Sequence, residues 1–394
     1  MTRIKSTKKD TIYEFVIWSR DKVTHHIFCS RLNSYAGIEL RLDEEADLSS
    51  MLNEPQFWSP TRSTQRLPAG ADVRLFAMNA TAELGRSIAK NLGLTLAAHE
   101  EREFEDGEHK ARPLEPVGKA DVYVVQSLYG GPGQSANDKL CRLLFFIGAL
   151  KDAGAARVTA VVPYLSYARK DRRTKPHDPV TTRYIAALFE SVGTDTVVTL
   201  DVHNPVAFEN AFRCRTVALT AAPLFVDYAR AIGASKLCVV SPDPGGVKRA
   251  ELFREALEAV LGLPVGKGFV DKHRSAGVVS GDLFAGDVAG ATVLIIDDLI
   301  STGGTLLRAA HAVRKAGAVT TIALATHGLF MQGAASAITD AAIARFVITD
   351  SVPPFRLDPD IVHRRIDVLS AAPLLAEAIR RLNSGQALSD LLVY

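Results

Sequence analysis

The sequence predicts an α/β fold, with parallel sheets flanked by helices, on three observations. From residue 73 onward, short apolar runs rich in β-branched residues alternate with amphipathic stretches, the signature of βα units wound into a parallel sheet. One run, Val293-Leu294-Ile295-Ile296, is apolar without alternation, as a strand buried on both faces must be. The pattern also echoes itself. A strand ending in Val124-Val125-Gln126-Ser127, a Gly-rich turn and a helix closing in Lys151-Asp152-Ala153-Gly154-Ala155 are matched by Ile295-Ile296-Asp297-Asp298, a Gly-containing loop and a helix closing in Arg314-Lys315-Ala316-Gly317-Ala318. In both, a basic residue and a Gly suit a helix C-terminus. The echo fits two similar halves and equally the general form of any βαβ unit.

In chain order, Val73 to Met78 reads as a strand, and Thr81 to Leu92 as a helix with Leu84, Ile88 and Leu92 on one face. Strands follow at Val122–Val125, Val158–Val162 and Thr196–Leu200, separated by helices at Asn137–Leu150 and Pro179–Ser191. A second block starts near Ala221 with a helix to Ile232, strand Lys236–Val240 and helix Val247–Leu261. Strand Val293–Ile296, helix Gly303–Lys315 and strand Thr320–Ala325 come next. Segments at Ala334–Ala344, Phe346–Thr349 and Pro373–Leu382 complete the alternation. Residues 1–70 differ: Ile12–Trp18 and Ile27–Leu42 read as strands, and Asn53 to Gly70 is turn-rich, with Pro55, Pro60 and Pro68. That segment reads as a β-rich appendage, a disordered arm, or sequence added by the choice of start codon. The expected division is an extension of unknown role over 1–70 and α/β domains over 71–218 and 219–394.

With 394 residues and a formal net charge of +2, the chain can bury sizeable cores, and no global field argues for nucleic acid or a membrane surface. Basic residues near the N-terminus precede an apolar run broken by Glu14 and Arg20, too charged for a signal peptide or a membrane span. Cys29, Cys141, Cys214 and Cys238 lack C-x-x-C spacing and read as buried, reduced residues of a cytoplasmic protein.

The chemistry centres on Thr292 to Thr305, where the apolar strand ends in Asp297-Asp298 and runs through Ser301, Thr302, Gly303, Gly304 and Thr305 into a helix. At such a junction the free N–H groups and the helix dipole favour an anion, and glycines let the backbone approach a phosphate. Asp297 and Asp298 suit the vicinal hydroxyls of a sugar, or a hydrated Mg2+. The loop lacks the G-K-[ST] of a Walker A motif and the dinucleotide G-x-G-x-x-G. It resembles the fingerprint of proteins that bind ribose 5-phosphate or its pyrophosphate.

Five other stretches carry weaker signals. Asp201-Val202-His203 ends a strand, where residues two apart share a face and a carboxylate can orient a metal-ligating imidazole. Ser241 to Gly246 opens a strand into a rigid turn, with Asp243 placed for a ribose hydroxyl or a metal. Arg169-Lys170-Asp171-Arg172-Arg173 follows a strand end, where guanidinium forks hold phosphates. Phe104-Glu105-Asp106-Gly107-Glu108 reads as a turn with one aromatic. Asp271-Lys272-His273-Arg274 lies at the base of a small-residue stretch that suits a flexible lid.

Together these stretches stand in the order and spacing of the ribose-phosphate pyrophosphokinase family, which the chain resembles from about residue 73 to its end. The resemblance implies two phosphoribosyltransferase-like α/β domains and self-association into dimers or hexamers. It implies transfer of the diphosphoryl group of MgATP to the C1 hydroxyl of ribose 5-phosphate, releasing AMP. The sugar phosphate then falls to Asp297, Asp298 and Ser301 through Thr305, and Mg2+ to His203, Asp243 and Asp201. ATP falls to Arg169, Lys170 and Asp171, and its adenine to Phe104, Asp106 and Glu108 of a neighbouring subunit. Lys272 and Arg274 become the catalytic cations. Lys170 stands where the family commonly has Gln, Ser301 where it commonly has Asp, and Thr174 to Asp178 is unlike the usual regulatory loop. The competing readings are a phosphoribosyltransferase, usually one domain without the adenine turn, and a non-catalytic, synthetase-like regulatory subunit.

Overall fold

A computed structural model describes residues 2–8, 11–19, 24–31, 34–41, 58, 59, 66, 67, 72–275 and 278–392; the side chains of residues 1–57 and 272–282 lie outside that description. The chain divides into two compact units, Met1–Pro55 and Gln56–Tyr394. The first unit is an antiparallel meander of β1 (Thr2–Lys8), β2 (Thr11–Ser19), β3 (Thr24–Arg31) and β4 (Ser34–Arg41). The expected strand at Ile12–Trp18 is β2, and the stretch from Ile27 to Leu42 holds the end of one strand and all of the next.

The second unit begins with β5 (Val73–Ala77) and α1 (Ala82–Leu92), then a two-stranded hairpin of β6 (His99–Glu103) and β7 (His109–Pro113). Next come β8 (Asp121–Val125), α2 (Ala136–Asp152), β9 (Arg157–Val162), α3 (Thr181–Ser191), β10 (Thr196–Leu200), α4 (Pro205–Ala211) and β11 (Arg215–Leu219). These build a parallel five-stranded sheet in the order β11-β10-β9-β8-β5. The starts of its helices follow from sequence. Ser135 and Asp138 form a reciprocal capping box for α2, and Asn204 followed by Pro205 starts α4.

After β11 the chain enters a second lobe through α5 (Ala222–Ile232), β12 (Leu237–Ser241), a single 3-10 turn at Pro244–Gly246 and α6 (Val247–Leu261). It continues with β13 (Gly266–Ser275), β14 (Val278–Gly286), β15 (Thr292–Ile300), α7 (Gly304–Lys315), β16 (Thr320–Gly328), α8 (Ala334–Thr339) and β17 (Arg345–Thr349). It ends with α9 (Pro359–Arg365), β18 (Ile366–Leu369) and α10 (Ala372–Ser384). The seven-stranded sheet runs β14-β13-β12-β15-β16-β17-β18, parallel throughout except for β14 against β13.

The periodicity located the long helices and the buried parallel strands; the elements it missed are short or amphiphilic. β6, whose sequence is His-Glu-Glu-Arg-Glu, has no apolar face to read, and α9 buries no residue. The Asp271–Arg274 stretch, expected at the base of a lid, lies in β13, whose pairing with β14 carries an irregularity between Lys272 and Arg274. Cys141, expected to be buried, is exposed, because it lies on the outer face of α2; Cys238 is buried as expected.

One core spans both lobes. Val73 and Leu75 of β5, Ile88 and Leu92 of α1, and Leu374, Leu375 and Ile379 of α10 belong to the same buried cluster. The last three are 0% exposed, each contributing roughly 1.5–3 kcal/mol of burial. Asn383 donates to the Asp121 carboxylate of β8 at 2.8 Å, and the amide of Thr220 donates to the Leu391 carbonyl at 2.9 Å. No helix among the described residues is long and apolar enough to cross a membrane.

Candidate active site

A cavity of about 180 Å³ opens between the two sheets at the carboxyl ends of their strands; Arg169 and His203 line it from the first lobe, Asp243 and Asp297 through Leu306 from the second. Its floor is β15. The sequence places the end of this strand before the carboxylates, but the ladder continues through them. Asp297 pairs with Ala325, Leu299 with His327 and Ile300 with Gly328, because β16 is itself extended to Gly328. The loop is therefore only Ser301 to Gly303. It is pinned from behind, with the amides of Leu329 and Phe330 donating to the Ile300 carbonyl at 2.9 and 3.1 Å, and Met331 to the Ser301 carbonyl at 2.9 Å.

Gly303 is the N-cap of α7 at φ +78°, and a Cβ there would lie 2.8 Å from the Ala337 Cβ. Only glycine meets both conditions. Having no side chain, it leaves the first amides of α7 uncapped at a cavity lined by Gly304, Thr305 and Leu306, which suits an anion.

Beside this cradle the carboxylates form an unequal pair. Burial and the adjacent Asp298 push Asp297 well above the usual carboxylate range. Burial also opposes ionisation of Asp298, but its hydrogen bond with His203 and the nearby Arg249 guanidinium prevail and hold it low. His203 Nδ1 stands 2.7 Å from Asp298 Oδ2. A carboxylate only accepts, so Nδ1 carries the hydrogen, and the Asp298 contact raises the imidazole pKa against the cost of burial. In the neutral ring Nε2 is then left as an acceptor or ligand. Arg249, on the first turn of α6, reaches Asp297 Oδ1 at 3.3 Å and Asp298 Oδ1 at 3.7 Å. Sequence reasoning missed Arg249. Its signal was a basic residue on the first turn of the helix that the Ser241–Gly246 turn aims at the cavity.

Asp243 is held by its own turn. Its Oδ1 takes the Gly246 amide at 3.1 Å, and the Ser241 hydroxyl donates to its carbonyl at 2.6 Å. Asp201 behaves otherwise than expected. β10 ends at Leu200 and Asp201 adopts φ +39°, so the alternation that would put Asp201 and His203 on one face is broken. The Asp201 carboxylate turns instead to the Ala221 amide, at 2.9 Å, and to the Thr326 hydroxyl. It does not line the cavity.

The basic stretch is split as well. Arg169 lines the cavity, but Lys170 folds back onto Asp178 at 2.6 Å and Thr174 at 2.9 Å, and Asp171 accepts from Asn204 at 2.6 Å. Phe104, Asp106 and Glu108 sit exposed at the tip of the β6–β7 hairpin, with the Arg102 guanidinium 5.1 Å above the Phe104 ring. The side chains of Lys272 and Arg274 lie outside the described residues. No group of three His, Cys, Asp or Glu side chains that could hold a metal by itself is gathered among the described residues. The donors lining the cavity are mostly carboxylate oxygens, a set that fits a hard divalent cation sharing its coordination with substrate phosphates.

These features define a class: a two-lobed α/β protein whose inter-lobe cavity sets an uncapped helix start beside a pair of buried carboxylates. Residues 73–193 match the family described as the N-terminal domain of ribose phosphate pyrophosphokinase, and residues 283–393 match the phosphoribosyl synthetase-associated domain. A ribose-phosphate pyrophosphokinase of Caldanaerobacter subterraneus is 38% identical over 322 residues, 81% of this chain and 97% of that protein. One of Pasteurella multocida is 36% identical over 322 residues, covering 81% and 98%. The crystal structure of phosphoribosylpyrophosphate synthetase from Mycobacterium smegmatis superposes with a TM-score of 0.71 at 33% identity, over 80% of this chain and 99% of that one. The chain belongs to the ribose-phosphate pyrophosphokinase family. It is an enzyme, a transferase that passes a diphosphoryl group from ATP to the C1 hydroxyl of ribose 5-phosphate.

Proposed function

We propose that the lobes divide the substrates, with ATP on the first and ribose 5-phosphate on the second. The observation that carries this reading is the cavity itself, which takes Arg169 and His203 from one lobe and the Asp297–Leu306 segment from the other. The 5-phosphate sits on the amides at the start of α7 with the hydroxyls of Ser301, Thr302 and Thr305. Asp297 and Asp298 accept hydrogen bonds from the ribose hydroxyls and so orient C1. Arg169 holds the polyphosphate of ATP, which extends across the cavity from the first lobe. The C1 oxygen attacks the β-phosphorus and gives up its proton to solvent, the bond from that phosphorus to the α,β-bridging oxygen breaks, and AMP departs with that oxygen.

Mg2+ supplies neutralisation of the phosphate charge, and His203 Nε2, Asp243 and the Asp297–Asp298 pair are the groups that would hold it. Asp201 is left out of this set by its bonds to Ala221 and Thr326. Lys272 and Arg274 stabilise charge on the departing phosphate. The exposed hairpin tip supports a role for Phe104, Asp106 and Glu108 at the adenine of a neighbouring subunit, within a dimer or hexamer working in the cytoplasm.

The test is direct. Purified protein is incubated with ATP, ribose 5-phosphate and Mg2+, and AMP is followed with and without inorganic phosphate. AMP formed only when ribose 5-phosphate is present supports the reading; no AMP at any phosphate concentration refutes it.

A further inference from the structure

Behind the cavity, a run of buried polar contacts joins the carboxyl edges of the two sheets, and no substrate role absorbs it. At its centre is His327 on β16, 3% exposed. Its Nε2 lies 2.9 Å from the Leu200 carbonyl, the last residue of β10 in the other lobe. A carbonyl only accepts, so Nε2 carries the hydrogen; Nδ1, 2.8 Å from the Ser351 Oγ, then accepts from that hydroxyl. Both ring nitrogens are satisfied in one neutral tautomer, and Tyr164 of the first lobe meets the ring edge-on at 5.0 Å. Ser127 donates to the Ser351 carbonyl at 2.6 Å, and the adjacent Thr326 donates to Asp201. Arg356 bridges the carbonyls of Leu329 and Gly130.

The placement of this bond along both strands gives it consequence. Leu200 precedes His203 by three residues, and His327 pairs in register with Leu299, the neighbour of Asp298. The His327–Leu200 hydrogen bond thus ties the segment that carries His203 to β16, the strand paired with the one that carries Asp298, and those two side chains meet across the cavity. We propose that His327 is a positioning residue: its hydrogen bond to Leu200 sets the separation of the two lobes and so aligns the two bound substrates. It touches neither of them. A displacement of about 1 Å between reacting groups costs on the order of 10²-fold in rate, so a single rigid bond at this point outweighs its modest share of stability.

The inference rests on the reaction assigned above, and its signature is a split between turnover and binding. His327→Phe keeps an aromatic ring against Tyr164 and deletes both hydrogen bonds; His327→Gln restores an N–H donor towards Leu200. For His327→Phe we expect kcat to fall by roughly 10- to 100-fold. The Kd of ATP alone and of ribose 5-phosphate alone, by calorimetry, should each stay within about threefold of wild type, and His327→Gln should recover most of the rate.

A kcat for His327→Phe within about twofold of wild type overturns the proposal. So does a Kd that worsens as much as kcat falls, or a Gln variant no faster than the Phe variant. If His327→Phe does not fold, Ser351→Ala, which removes the donor that fixes the ring, is read against the same limits. Wild type run in parallel separates the two claims: no AMP from wild type refutes the assigned reaction, whereas equal rates for wild type and His327→Phe refute only the positioning role.

Discussion

Two buried knots of charge in the second lobe have nearly the same ingredients and opposite characters. In one, the Glu377 carboxylate accepts from Arg380 at 2.9 and 2.7 Å and from Arg381 at 2.6 Å, and Arg381 also pairs with Asp390. Opposite charges alternate there, and the Glu377 carboxylate faces guanidinium groups on its own helix. In the other, Asp297 and Asp298 are chain neighbours, both largely buried, with Arg249 shared between them and His203 on one side. Like charges are adjacent, one of the pair is driven towards its neutral form, and the whole knot opens on a cavity. A satisfied knot stabilises the fold, whereas a strained one holds unspent interaction energy for a ligand.

Exchanging the charge in each knot should separate these characters. The largest effect is expected from Asp298→Asn, which removes the partner of His203 and one of the two carboxylates proposed to orient the ribose. AMP-release kinetics should show kcat/KM lower by on the order of 10³-fold, with a melting temperature equal to or above wild type because like-charge repulsion is relieved. A large fall in melting temperature with activity retained would erase the contrast.

The counterpart, Glu377→Gln, should leave activity at low temperature intact and cost roughly 2–3 kcal/mol in denaturant titration. The pH dependence has a definite sign. Burial raises the Glu377 pKa, but the hydrogen bonds from Arg380 and Arg381 overcome it and bring it down to about 2 from 4.5. A depressed folded-state pKa gives stability that is present above 4.5 and lost as pH falls from there towards 2. The slope of stability against pH in that window should be shallower in Glu377→Gln than in wild type.

Smaller effects probe the edges of the working knot. Gly303→Ala forces a side chain into φ +78° and against Ala337, for an expected loss of about 1–3 kcal/mol and a higher KM for ribose 5-phosphate with little change for ATP. Lys170→Ala, which only unties the loop from Asp178, should cost less than about 1 kcal/mol; a rise in the KM for ATP would return Lys170 to the ATP site.

The junction of β15 and α7 was legible because all its parts are contiguous: strand, carboxylates, glycines and helix follow one another from Val293 to Leu306, and local rules cover each. The parallel sheets were legible for the same reason, through periodicity. What escaped depends on partners distant in sequence. Arg249 is drawn into the site by carboxylates 48 and 49 positions further on, and His327 meets a carbonyl 127 positions earlier. Asp201 was misread because strand alternation was extended past the strand's end at Leu200 as far as His203, whereas Asp201 adopts a left-handed φ. The pairing of Lys170 with Asp178 was not legible in the run of charges itself, because it depends on a loop eight residues further on.

The packing of α10 back onto α1 and β8 bears on how the protein is made. Leu374, Leu375 and Ile379 complete the core beneath β5, and Asn383 and Leu391 tie down the strands of the first lobe. During synthesis the first lobe emerges early, yet one wall of it is still missing until residue 392 has cleared the ribosome. A chain halted before residue 301 therefore lacks a finished first lobe as well as the loop that opens α7. Truncated products are left with an unfinished core in the lobe that was made first.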